Sequence, residues 1–310
     1  MELLVTTGDA FVRVGSGTRL EGSGAQCVAA DGDDVYVGCR GGGLKRSADG
    51  GDTFEDLDLP EHDVFSVAVS PVDGAVYAGT EPSRLFRSDD RGDTWEELVA
   101  LQEIPSKPTW SFPPRPWTSH VRWIAPSPHD PSRLLVGIEL GGLMVSDDGG
   151  ETWNDHRDGA QKDVHSLAWH PRTEERAYEA GGGGSAWSAD GGWTWAPADD
   201  GRDRNYTWSV APDPDDPDCW FVSASTGPFA AHGGRDAQAR IFRWRGGGPW
   251  EAVTDELQAM PYALRFADGR LYAGFSDGRV VVTDDRGDSW DELALRGDPV
   301  PGISALVAAP

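Results

Sequence analysis

With 310 residues, 38% of them hydrophobic and 14 of them tryptophan, the chain has enough apolar material for two ordinary domains or one large all-β domain. It carries 52 acidic against 27 basic residues, a net charge of −25 spread along its length and not gathered in a tail. A field of that sign repels phosphate backbones, which excludes nucleic acid as a partner, and no stretch has the length of a membrane span.

The first residues, MELLVTTGDAFVRV, lack a basic region followed by a long apolar run, so a cytoplasmic location is expected. Only Lys45, Lys107 and Lys162 are lysines, and the other 24 basic residues are arginines. Dispersed acidity of this degree fits a folded protein kept soluble in concentrated salt, where counter-ions screen its self-repulsion. In this the chain resembles haloarchaeal cytoplasmic proteins. Cys27, Cys39 and Cys219 are odd in number and lie in no CxxC frame, so they are read as buried thiols.

From Ser47 onward one octapeptide recurs: SADGGDTF (Ser47–Phe54), SDDRGDTW (Ser88–Trp95), SDDGGETW (Ser146–Trp153), SADGGWTW (Ser188–Trp195) and TDDRGDSW (Thr283–Trp290). RWRGGGPW (Arg243–Trp250) is a decayed copy, and the intervals are then 41, 58, 42, 55 and 40 residues. A unit of about 41 residues is lengthened twice by insertions. Within it four short β-like segments recur, the first as VFSVAVSP (Val64–Pro71) and the second as AVYAGTE (Ala75–Glu81). Four strands per unit of this size predict a propeller blade. Six units run from about residue 25 to 295, and ISALVAAP (Ile303–Pro310) with the strands of residues 1–20 supplies the seventh. The expectation is therefore all-β: one seven-bladed β-propeller of four-stranded blades over residues 1–310, closed by the C-terminal strand on the N-terminal strands.

The octapeptides resemble the Asp-box (BNR) repeats of sialidase-like propellers. IELGGLMVSDDGGETW and DVHSLAWHP are most similar to the BNR-repeat "glycosyl hydrolase" group. The resemblance implies that each box turns between a blade's third and fourth strands. Its Asp (Asp49, Asp90, Asp148, Asp190, Asp285) would then accept backbone N–H groups, its Gly would take positive φ and its aromatic would pack into the blade. Sialidases of this fold use three arginines, a Tyr–Glu nucleophile pair and an acidic proton donor, but the Arg-Ile-Pro signature is absent here. Other relatives, the photosystem II assembly factor and the sortilin ectodomain, bind proteins.

Both insertions, Gln102–His120 and Ser225–Arg240, fall on the face opposite the boxes, the top. Aligned first strands give two adjacent columns. One reads Gln26, Phe65, Arg122, His165, Trp208, Tyr262 and Ser304; its neighbour is mostly small residues, as a crowded axis requires. With the second-strand exits, which include Arg40, Glu81 and Glu139, the variable column should line the mouth of the central funnel. Arg122, Trp208 and Tyr262 are the candidate ligand-binding residues of the ring. His120, Trp117, Tyr206, His232 and Arg235 join them from the insertions and linkers. Catalysis would rest on Glu139 with His165 or Asp236 as acid/base partners. A divalent metal on His120, Glu139, His165 and His232 has no support from spacing, and no cofactor is expected. His62, His129, His156 and His170 read as surface residues. The expected function is binding of a small polar ligand, such as a carbohydrate or related metabolite, in the top funnel. A glycosidase-like hydrolase and a protein-interaction platform are the alternatives.

Overall fold

Seven antiparallel sheets form a ring in the computed structural model, which describes residues 2–113, 118–234, 236–295 and 299–309. Blade 1 pairs the C-terminal strand Ala305–Ala309 with Glu2–Thr6, followed by Phe11–Arg13 and Gly17–Arg19. In blades 2 to 7 the strands run outward in chain order from Ala25–Asp31, Val64–Val69, Val121–Pro126, Val164–Trp169, Tyr206–Pro212 and Pro261–Ala267. Blade 4 has three strands and completes its outer edge with a bridge between Val145 and Asn154. The seven innermost strands neighbour one another in a closed cycle.

The core lies between blades, where the face of one sheet meets the next. Leu135, Leu143 and Val145 of blade 4, for example, pack on Val164, Leu167 and Trp169 of blade 5. Near the axis the strands approach too closely for side chains. A Cβ on Gly79 would sit 2.5 Å from Val121, and one on Gly137 would sit 2.4 Å from Val164. Small hydroxyls stitch the inner strands together. Ser66 Oγ donates to Val121 O (2.8 Å), while Ser166 Oγ donates to Trp208 O (2.9 Å) and accepts Val210 N–H (3.0 Å).

The repeated octapeptides connect the third and fourth strands. In the copy at Ser146, Ser146 Oγ donates to Asp148 Oδ1 (2.8 Å) and accepts Gly150 N–H (2.9 Å), and Asp148 accepts the N–H (2.9 Å) and hydroxyl of Thr152. Gly150 has φ +95°, where a side chain is strained. The same network recurs in the other four copies. Bonds from Thr94 to Asp90, and from Ser289 to Asp285, hold both carboxyls at about 2, so this stabilisation is lost only as pH falls below the ordinary carboxylate range. Asp148→Ala removes three of these bonds, and Tm is expected to fall by roughly 3–6 °C in a calorimetric melt. A Tm within a degree of the parent would show that the turn is not held by its carboxylate.

The described part of the first insertion, up to residue 113, packs against blades 3 and 4. Two 3-10 turns, Val99–Glu103 and Lys107–Thr109, lead to Trp110, which is buried against Leu101, Ile104 and Ile138. Ser106 is bonded to Asp155 through its N–H (3.0 Å) and hydroxyl (2.6 Å). The second insertion folds into the helix Pro228–His232. Trp117 and Arg235 lie outside the described residues.

His170 differs from its reading as a surface residue. It is buried, accepting Arg172 and Thr173 N–H on Nδ1 and donating from Nε2 to Asp213 O (3.0 Å). The imidazole caps the turn after the first strand of blade 5 and ties it to blade 6.

Candidate functional site

Each innermost strand of blades 2 to 7 opens with an irregularity in its ladder. The residue skipped by the pairing is Gln26, Phe65, Arg122, His165 or Tyr262, and in blade 6 Trp208 is skipped together with Ser209. A β-bulge releases a residue from the pleat and re-aims its side chain. These six are members of the variable ring. Ser304 enters blade 1 without a skip, its N–H on Thr6 O (2.8 Å) and its hydroxyl on Thr6 Oγ1 (2.9 Å). Two positions before the bulge, His120, Asp163 and Tyr206 also join the site.

On the blade 3–4 side, His120 Nε2 lies 2.7 Å from Glu139 Oε2, and its ring stacks on Phe65 with centroids 3.9 Å apart. Its Nδ1 is 3.6 Å from Glu81 Oε2, and Thr118 donates to the other oxygen of Glu81 (2.6 Å). Arg122 Nε is 3.5 Å from the same Oε2 of Glu139. Burial alone would push the Glu139 carboxyl up, but the His120 bond and the Arg122 charge outweigh it and hold the group at about 2. Glu139 is thus an ionised acceptor, and His120 Nε2 carries the proton between them.

On the blade 5–7 side, Trp208 is the hub. The Arg122 guanidinium lies over its ring at 4.7 Å, and His165, His232 and Tyr262 have centroids at 4.5, 4.8 and 5.4 Å. His232, brought in by the short helix, bridges the hydroxyls of Tyr206 (Nε2, 2.8 Å) and Tyr262 (Nδ1, 2.8 Å). Tyr262 donates its proton to Ala231 O (2.9 Å), so it accepts from His232 Nδ1–H, and Nε2 accepts from Tyr206. That chain needs a neutral imidazole, and the desolvation His232 meets between the aromatic rings lowers its pKa from the ordinary value.

Between the two halves sits His165, with Nδ1 2.6 Å from Thr207 O and Nε2 3.6 Å from Asp163 Oδ2. Donor atoms of Glu139, Asp163 and His165 all lie within 4.8 Å of one another. Four buried polar atoms here have no hydrogen-bond partner among the described residues: His120 Nδ1, Arg122 Nε, Asp163 Oδ1 and His165 Nε2.

The structure therefore assembles Arg122, Glu139, His165, Trp208, Tyr262, His120, His232 and Tyr206. Asp236 stands apart in an exposed turn, accepting Gln238 N–H (3.0 Å). The four-residue metal set does not converge, because His120 is committed to Glu139 and His232 to the two tyrosines. Asp163 was missed by the sequence reading, although the signal existed in its spacing to the bulge, which His120 and Tyr206 share. Two surface depressions lie elsewhere, one among Ser127, Asp130, Arg133 and Glu175, the other among Asp31, Asp34, Asp73 and Arg91. Both sit on inter-blade seams near first-to-second-strand turns, so the repeat itself creates them.

No family model matches the chain. Over 113 residues it is 33% identical to the vacuolar protein sorting/targeting protein 10 of Emericella nidulans, a stretch covering 36% of this chain and 7% of that protein. Among solved structures, the GH74 enzyme of Niastella koreensis superposes with a TM-score of 0.66 at 16% identity, over 86% of this chain and 45% of that one. The GH74 xyloglucanase of Xanthomonas campestris gives 0.66 at 18% identity, over 87% and 45%. YCF48 bound to a D1 peptide gives 0.60 at 15%, over 87% and 85%. The shared feature is the propeller fold. The chain spans less than half of the GH74 enzymes it resembles. Among the described residues, no helix is long and apolar enough to cross a membrane.

Proposed function

We propose that the protein binds a small polar ligand, a carbohydrate or related metabolite, at the top of the funnel between blades 4 and 7. One observation carries this reading: Arg122, His165 and Tyr262 gather round the Trp208 ring, and Arg122 Nε and His165 Nε2 are buried there without a hydrogen-bond partner among the described residues, with further unbonded polar atoms on neighbouring His120 and Asp163. Buried polar atoms left unmatched are costly, and a hydroxyl-rich ligand supplies both kinds of partner while its apolar face stacks on the aromatics. The five octapeptides are taken as Asp boxes that hold the scaffold, and the dispersed acidity as adaptation to a salt-rich cytoplasm.

A thermal-shift screen in molar KCl against sugars, sugar acids and nucleotides tests the reading. A dose-dependent rise in Tm is expected, abolished in Arg122→Ala and Trp208→Ala and retained in Asp236→Ala. No shift across the panel with a well-folded protein would instead favour a protein partner, as with the peptide-bound YCF48 structure.

Hydrolysis is the second reading, favoured by an ionised Glu139 and a second carboxylate, Asp163, whose donor atoms lie within 4.8 Å of each other and of His165. It requires turnover that disappears in Glu139→Gln.

A further inference from the structure

We propose that Glu139, Asp163 and His165 form a site for a zinc-class divalent metal ion. This goes beyond ligand binding and stands without it, since its test uses the metal alone.

The argument starts at His165. Thr207 O, 2.6 Å from Nδ1, can only accept, so Nδ1 carries the ring's proton. The neutral ring then presents a lone pair at Nε2. That atom belongs to a side chain with no exposed surface, and it has no hydrogen-bond partner among the described residues. Its surroundings are two carboxylates, which are acceptors themselves. A lone pair buried against acceptors is satisfied by a cation. A proton on Nε2 is the simpler occupant, yet at 3.6 Å the nearest Asp163 oxygen is beyond hydrogen-bond reach. An imidazole whose other nitrogen donates to a backbone carbonyl is also the usual arrangement of a metal-bound histidine. The Tyr206 and Trp208 rings, at 4.9 and 4.5 Å, fix its orientation.

The carboxylates fit the same role. Asp163 is anchored by its carbonyl, which accepts Gly182 N–H (2.8 Å), and its Oδ1 is buried without a partner. Gly182 must lack a side chain, because a Cβ would sit 2.0 Å from Asp163 Oδ2. Glu139 meets His120 and Arg122 through Oε2, and a carboxylate oxygen of Glu139 lies within 4.8 Å of the Asp163 and His165 donors. Arg122 places its guanidinium over Trp208. Two carboxylates against one guanidinium leave net negative charge.

One nitrogen and two oxygens suit zinc, cobalt or nickel better than calcium or magnesium, which favour oxygen alone. Donors around a tetrahedral ion stand roughly 3.4 Å apart; His165 Nε2 and Asp163 Oδ2 are already at 3.6 Å, and the remaining pairs, within 4.8 Å, close by up to about 1.4 Å on binding. Three protein ligands leave a position open to water or to a ligand hydroxyl.

The test adds Zn2+ or Co2+ to EDTA-treated protein in molar KCl, where non-specific binding to the acidic surface is screened. Calorimetry is expected to show one equivalent bound, with a micromolar or tighter Kd. Bound Co2+ should show the visible absorption of a low-coordinate site. Asp163→Asn and His165→Gln should each weaken binding at least 100-fold, and Asp236→Asn should leave it unchanged. Absence of stoichiometric binding to the parent protein overturns the proposal, as does binding that both Asp163→Asn and His165→Gln leave intact. The sugar panel repeated on metal-free protein separates this result from the fate of the ligand-binding reading.

Discussion

Deleting residues 303–310 is expected to abolish cooperative folding. Ala305–Ala309 is the innermost strand of blade 1 and pairs with Glu2–Thr6 over five residues. Ile303 and Leu306 are buried in the blade 1–7 core, and Ala309 in the core between blades 1 and 2. Losing two large aliphatic side chains costs about 2–5 kcal/mol each. The five-residue ladder and a newly exposed inner edge add to that. The sum rivals the 5–15 kcal/mol that typically holds a domain together. A circular permutant separates this from simple loss of residues. Glu2 lies opposite Ala309, so a short linker can join the ends, and the exposed turn at Asp268–Gly269 can take the new opening. The permutant should melt within a few degrees of the parent by circular dichroism. A truncated chain that still melts cooperatively near the parent temperature would refute the closure argument.

Glu179→Gln is expected to stabilise the protein, increasingly so as pH rises. Glu179 lies in the second strand of blade 5, where the equivalent positions are Val37, Ala78, Val136, Val222 and Ala273. It is fully buried, its Oε2 accepts Gln161 N–H (2.9 Å), and its Oε1 has no partner among the described residues. Burial pushes the carboxyl from its ordinary 4.5 up to about 8. The folded state therefore binds this proton more tightly than the unfolded chain. The associated stability is complete below 4.5 and is lost as pH climbs through 8. A shift of this size corresponds to on the order of 5 kcal/mol. The glutamine keeps the acceptor for Gln161 and never ionises, so denaturant midpoints of parent and variant should diverge from pH 5 to 9. Parallel curves for parent and Glu179→Gln would mean that the carboxyl is hydrated.

The ring was legible because its signals are local and repeated. The octapeptide marks every third-to-fourth-strand turn except those of blades 1 and 6, and the strand-start column marks the axis. Arg122, His165, Trp208 and Tyr262 could be placed because register alone brings the start of each inner strand to the same end. What register does not reveal is pairing. Whether His120 turns to Glu139 or to a metal depends on distances between separate blades, and the same holds for the carboxylate beside His165, which is Asp163 and not the Asp236 singled out from the sequence. Glu179 was invisible for another reason. Its cost arises from burial, and a single acidic letter in AYEAG does not announce the apolar surroundings supplied by neighbouring strands.

The bulges also bear on how such a molecule changes over generations. A residue that pairs with a neighbouring strand is bound to the packing on both its sides, and replacing it disturbs two sheets. A bulged residue has no ladder partner, so a change at position 26, 65, 122, 165, 208 or 262 leaves the strand pairing beneath it closed and is felt by the neighbouring ring side chains instead. Each of blades 2 to 7 thus contributes one such position to the ring at the axis. A lineage, or a designer, can vary the chemistry of that ring without first solving the problem of how the ring folds.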